Sequence, residues 1–158
     1  MFERFTKEAR LVVTHAVAEA ETRGDSRVGT EHLLIGVARS PGLAGLLPDV
    51  ESIRAELDRM DRDALVSVGL DPDLLDVAGP VRAERGRHIP FTGGAKDILK
   101  GALRAALDLG HRHIGVEHLA LALTAAEAPD RAISALRGLD LGPTALRAAL
   151  LQSAREAS

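Results

Sequence analysis

Residues 5–37 align with residues 91–123 at a constant offset of 86 and without a gap. Phe5, Thr6, Ala9, Ala16, Ala20, Gly24, Gly29, Glu31, His32 and Leu33 recur as Phe91, Thr92, Ala95, Ala102, Ala106, Gly110, Gly115, Glu117, His118 and Leu119. Arg10 with Lys96, Val12 with Ile98, Val13 with Leu99 and Val28 with Ile114 keep their character. No other feature constrains the fold as much. Two copies are too few for a solenoid, where each repeat needs neighbours on both sides. The expectation is a pseudo-twofold pair in which two copies bury a common face.

Each copy has helical periodicity. Phe5, Ala9, Val12, Val13, Ala16 and Ala20 fall on one stripe of a 3.6-residue repeat. Gly24 ends that helix, Gly29 opens a turn, and Thr30 is expected to cap a helix beginning at Glu31. "RSPGLAGLL" starts a third segment with Ser40 as cap and Pro41 in the first position. "DVESIRAELDRMDRDAL" forms a fourth, with Val50, Ile53, Leu57 and Met60 on one face. The second copy repeats the order over 92–109, 116–126, 130–137 and 143–156. Strand signals are nearly absent. The predicted fold is all-α: two four-helix repeats in a pseudo-twofold arrangement, forming one domain over 1–158. Repeat 1 spans 1–65, a linker 66–90, and repeat 2 spans 91–158. The linker carries three Gly, three Pro and mixed charges, with one helical turn expected at Asp73–Asp76 and a basic cluster of Arg82, Arg85, Arg87 and His88.

Composition excludes several functions. There is no Cys, which removes disulfides, thiolate metal sites and thiol catalysis. A net charge of −3 gives no general attraction to nucleic acid or to an anionic membrane. The N-terminus lacks a signal-peptide core, and no apolar run approaches the ~18 residues of a spanning helix. A cytoplasmic protein is the expectation. No nucleophile-elbow serine or glycosidase-like acid pair appears, so the chain is expected to be non-enzymatic and without cofactors. His111, His113 and His118 make an H-x-H-x₄-H run. Gly115 interrupts it and repeat 1 has no equivalent, so no metal site is assigned.

The repeated Glu-His pair opens a helix in both copies. A first-turn carboxylate there gains about 0.3–1 kcal/mol from the exposed amides. His32 and His118 precede Gly36 and Ala122 by four residues. Those small residues would let each imidazole pack closely and hydrogen-bond across a helix pair. Phe5 and Phe91 are expected core anchors.

"MFERFTKEAR", "VGTEHLLIG", "HIPFTGGAKDILKGALRAALDLGH" and "IGVEHLALAL" together resemble the N-terminal domain of ClpC-type AAA+ unfoldases, which feed substrates to the Clp protease. The resemblance covers both repeats. It implies a domain that receives protein substrates or adaptors, with a ClpC-type unfoldase among its partners. No G-x-x-x-x-G-K-[ST] phosphate loop is present. Either a segment of a larger unfoldase or a free-standing homologue fits that absence. The irregular linker and 17 Arg against three Lys favour a free-standing, actinobacterial Clp-repeat protein.

The resemblance also implies residues. Glu31 with Thr6, and Glu117 with Thr92, correspond to groups that hold phosphoarginine degradation marks in some ClpC-type proteins. A carboxylate suits the guanidinium, and hydroxyls and helix-terminal amides suit the phosphate. Val116 in place of Thr30 removes a hydroxyl and an expected cap from the second copy. Phe2, Arg10, Val13, His88, Phe91, Lys96 and Leu99 match a region that binds cyclic-peptide antibiotics in related domains, although Lys100 stands where the unfoldases usually carry an acid. The leading expectation is thus a peptide-binding module recognising substrates, adaptors or phosphoarginine-type marks. The alternatives are a protein that sequesters cyclic-peptide antibiotics, or a docking partner of the unfoldase ring.

Overall fold

The computed structural model describes residues 2–76 and 88–156. Eight α-helices are present among them: α1 (Lys7–Arg23), α2 (Thr30–Ala38), α3 (Val50–Ser67), α4 (Pro72–Asp76), α5 (Gly93–Asp108), α6 (Val116–Thr124), α7 (Arg131–Gly138) and α8 (Pro143–Glu156). Two 3-10 turns, Phe2–Arg4 and Pro41–Leu43, complete the elements, and the described residues contain no strand. The fold is all-α and repeats its element order, as the sequence predicts. One element differs. The third segment of the first half is only the Pro41–Leu43 turn, with Ser40 at its N-cap but no cap bond from the hydroxyl. Its counterpart in the second half is α7.

α1 and α5 begin alike. Thr6 Oγ1 accepts from the Ala9 amide at 3.1 Å, and Thr92 Oγ1 accepts from the Ala95 amide at the same distance. Both helices bury their predicted alanine stripe. Gly24 closes α1 in the left-handed region, φ 74°, and donates to the carbonyls of Ala20 and Glu21. α2 and α6 are short and buried nearly all round, which makes them the centre of the molecule. α1 packs on α2, α5 and α8 on α6, and α2 meets α6 across the centre. α7, from the second half, leans on α2 and α3 of the first.

Two isolated parallel bridges join the halves, Phe5 with Ile114 and Val28 with Phe91. An 86-residue shift converts one into the other with the halves exchanged. Their hydrogen bonds match: Thr6 N–H to Ile114 O and Ile114 N–H to Arg4 O on one side, Val28 N–H to Pro90 O and Thr92 N–H to Val28 O on the other, each 2.9 Å. Each half therefore threads the segment before its first helix into the other half. Phe5 is buried at this junction and Phe91 half-buried. No helix among the described residues is long and apolar enough to cross a membrane.

Candidate functional site

The Glu-His pairs occupy the first turns of α2 and α6. Glycine, not threonine, is the N-cap in both, Gly29 and Gly115. A glycine cannot cap with a side chain, and the histidine at the third helical position does it instead. His32 Nδ1 accepts from the Gly29 amide and His118 Nδ1 from the Gly115 amide, both at 2.8 Å. This corrects two expectations. Thr30 is the first residue of α2, and its buried hydroxyl accepts from Ala132 N–H of α7 at 3.4 Å. Val116 therefore removes no cap from the second copy. The histidines are buried to 1% exposure as core residues would be, but their hydrogen bonds run to the preceding loop and not across a helix pair.

An accepting Nδ1 leaves the ring proton on Nε2. His32 Nε2 donates to Asp25 Oδ2 at 2.7 Å. His118 Nε2 donates to His111 Nδ1 at 2.8 Å, with the two rings edge to face. Asp25 and His111 share one place in the repeat, just past the end of the first helix of each half. Burial works to raise the Asp25 pKa, yet the hydrogen bond from His32 and the charges of Arg23 and Arg131 hold it below the usual value. His118 is held below the usual histidine range, chiefly by burial; Glu117 works against that and His111 adds to it.

His111, Glu117 and His118 place one potential metal-ligand atom each within 4.8 Å of one another. Two of the three rings of the H-x-H-x₄-H run thus converge, and His113 is exposed. The donor chemistry does not suit a cation. His118 Nε2 carries the proton it gives to His111, and Nδ1 is engaged by Gly115. A metal would have to displace one of these bonds.

The two acids have unequal surroundings. Each carboxylate folds back over its own N-cap, where a Cβ on Gly29 or Gly115 would collide with it. Glu31 Oε1 also lies 3.3 Å from Arg131 Nε, and Arg131 reaches on to Asp61 at 3.0 Å. The Glu31 side chain is 14% exposed, whereas that of Glu117 is 38% exposed. Among the described residues no guanidinium faces Glu117. Arg131 has no counterpart in the first half, where the matching position is Gly45.

The bridges between the halves also set the position of the two threonines. The two bridges put Thr6 beside Ile114, three residues before Glu117, and Thr92 beside Val28, three residues before Glu31. A Cβ on Gly94, in the first turn of α5, would stand 3.3 Å from Thr30 Cγ2. Thr6 thus lies beside the segment that leads to Glu117, and Thr92 beside the one that leads to Glu31.

Of the residues matched to cyclic-peptide binding, Arg10, Lys96 and His88 are exposed, Val13 and Phe91 half-buried and Leu99 buried. The Phe2 side chain lies outside the described residues, as do Arg82, Arg85 and Arg87 of the basic cluster. A groove of about 530 Å³ lies elsewhere, against α5, α6 and the α6–α7 connection, and takes in none of the eleven residues assigned from sequence. Sequence reasoning missed Asp25, His111 and Arg131 as partners. The spacing Gly29-x-x-His32 is that of a capping box and carries the signal for the cap. Nothing in the sequence points to Arg131, one hundred residues beyond Glu31.

No family model matches the chain. The ATP-dependent Clp protease ATP-binding subunit ClpA homolog of Porphyra purpurea is 33% identical over 153 residues, 96% of this chain and 17% of that protein. The chloroplastic chaperone protein ClpC1 of Oryza sativa subsp. japonica is 33% identical over 159 residues, 100% of this chain and 16% of that one. The chain thus spans about a sixth of the length of these curated relatives. Among solved structures, the N-terminal domain of the chaperone ClpD from Arabidopsis thaliana superposes with a TM-score of 0.73 at 22% identity, covering 98% of this chain and 97% of that one. The Hsp104 N-terminal domain from Candida albicans gives 0.62 at 16% identity, over 93% and 89%.

Proposed function

The chain belongs with the N-terminal domains of the Clp chaperones, in fold and in sequence, and from that premise we propose that it is a non-enzymatic recognition module for protein substrates of a Clp system. We further propose that Glu117 is its open site for a guanidinium-bearing mark of the phosphoarginine type. The observation that carries this reading is the guanidinium already in place at the equivalent acid. Glu31 is paired with Arg131, so a carboxylate at this point of the repeat is suitably placed for that group. Glu117 occupies the same point with more exposure and no such partner among the described residues. Thr6, at the N-terminus of α1 and bridged to the Ile114 segment, supplies a hydroxyl on the side where the phosphate would lie. Its Oγ1 accepts from Ala9 and keeps its proton to donate.

Calorimetric titration with phosphoarginine, and with plain arginine as control, tests the reading. One site is expected, not two. Glu117→Gln should abolish it, and Glu31→Gln should leave it intact. Arg131→Ala should uncover Glu31 and add a second site. Binding that survives Glu117→Gln removes the assignment.

A further inference from the structure

The groove of about 530 Å³ in the second half has a counterpart of about 50 Å³ in the first, and the two line up under the 86-residue shift. All eight residues around the small one have their equivalents around the large one. Five of these exchanges change a side chain's bulk or its charge. His15 becomes Gly101 and Arg39 becomes Ala125, so two side chains that fill the first groove are gone. Leu11 becomes Asp97 and Pro41 becomes Glu127, so two carboxylates are gained, while Glu8 becomes Gly94, so one is lost and more space opens. In the first half a cationic side chain, Arg39, lies beside His15 over the α1–α2 crossing. Its charge is felt there, since His15 is held below the usual histidine range by burial and then by Arg39.

The second groove keeps an apolar floor of Ile98, Leu121 and Ala122. Four carboxylates and two guanidiniums line it. Arg104 pairs with Asp108 at 3.5 Å, which leaves Asp97, Glu127 and Asp130 against Arg147. Asp130 also caps α7 through Ile133 N–H. Asp97 and Glu127 thus sit where the first half has apolar residues, and Arg39 and His15 have no counterpart here.

We propose that this groove docks a protein segment carrying a basic side chain, arginine above all, between small apolar ones. The guest residue takes the place that Arg39 holds in the first half. Its guanidinium faces Asp97 and Glu127, and its apolar neighbours lie on the floor opened by Gly101 and Ala125. The site is separate from Glu117 and does not depend on phosphoarginine recognition.

The test uses the full chain carrying Glu117→Gln, so that the two sites are not confused. A labelled peptide of alanines and leucines around a central arginine is titrated by fluorescence anisotropy, beside the same peptide with a central glutamate. The arginine peptide should bind and the glutamate peptide should not, and the affinity should fall as salt rises. Gly101→His with Ala125→Arg refills the groove and should weaken binding at least about tenfold. Asp97→Asn with Glu127→Gln, both at exposed positions, should weaken it about three- to tenfold without changing the melting temperature. That second pair decides the matter if the refilled variant fails to fold. No binding of the arginine peptide, equal binding of the glutamate peptide, or full affinity in either double variant would overturn the proposal.

Discussion

At the residue scale, two identical histidine caps are backed by different partners, and the difference has a pH consequence. His118 cannot take a second proton on Nδ1 without losing its bond to Gly115. His118 has an imidazole and not a carboxylate as its outer partner. Its pKa is held below the ordinary 6.5, so below that pH the unfolded chain takes up the proton more readily than the folded one. Stability is therefore full above pH 6.5 and declines as the pH falls below it. His15, also held down, adds to the decline. His111→Asp gives the second half the partner that His32 has in the first. Thermal unfolding between pH 7 and about 5 should then show a shallower loss than in the parent protein. An unchanged slope would mean that the His111–His118 pair does not set the acid sensitivity. The repetition of Glu-His was legible in the sequence, but the work of its histidine was not. A buried histidine four residues from a glycine suggests packing across helices, and only the three-residue spacing from Gly29 betrays the cap. The Glu31–Arg131 pair was beyond reach, since it joins elements a hundred residues apart and its second member falls outside the aligned stretch 91–123.

At the scale of elements, the close crossing of α1 and α2 depends on Gly36. A Cβ there would stand 2.5 Å from the Val12 carbonyl oxygen, which is backbone and cannot step aside. The second half carries Ala122 at this place and faces it with Gly101, whose own Cβ would lie 3.2 Å from that of Ala122. The two crossings are thus solved with the small residue on opposite helices. Gly36→Ala should destabilise the protein by about 1–3 kcal/mol in denaturant unfolding, the usual cost of an overfilled contact. Gly42→Ala, where an added Cβ meets the Glu8 carboxylate at 3.6 Å and Ser40 Oγ at 3.9 Å, both ordinary contacts, should change stability by less than about 0.5 kcal/mol. Equal effects at the two positions would show that the crossing tolerates separation. Periodicity identifies α1 and α5 because each buries one alanine-rich stripe, and their threonine caps mark where they start. The third element of the first half is shorter than Ser40-Pro41, a good helix start, suggests. Gly42, and Gly45 at φ 88°, stop it within one turn, whereas Arg131–Gly138 has no such residue before its end.

For the molecule as a whole, duplication has produced an interlocked pair and not two adjacent domains. Each half lends the segment before its first helix to the other, and the buried ends of α2 and α6 meet at the centre. The surfaces have since diverged in one direction. In the first half, Arg131 covers the helix-terminal acid and Arg39 with His15 fills the groove; in the second half, both places lack these cations. A pair that shares its core can keep one half as scaffold while the other faces ligands. This dependence makes a prediction about fragments. Residues 1–76 alone leave Phe5 and Val28 without their bridge partners and expose the α2 face that meets α6 and α7. Residues 88–158 alone have the mirrored defect. Neither should show a cooperative thermal transition by circular dichroism. Coexpressed, with a tag on one, the two should copurify in equal amounts and melt as a single unit. A cooperative transition in either fragment by itself would mean that one repeat encloses a sufficient core, and that the bridges only align two folded halves.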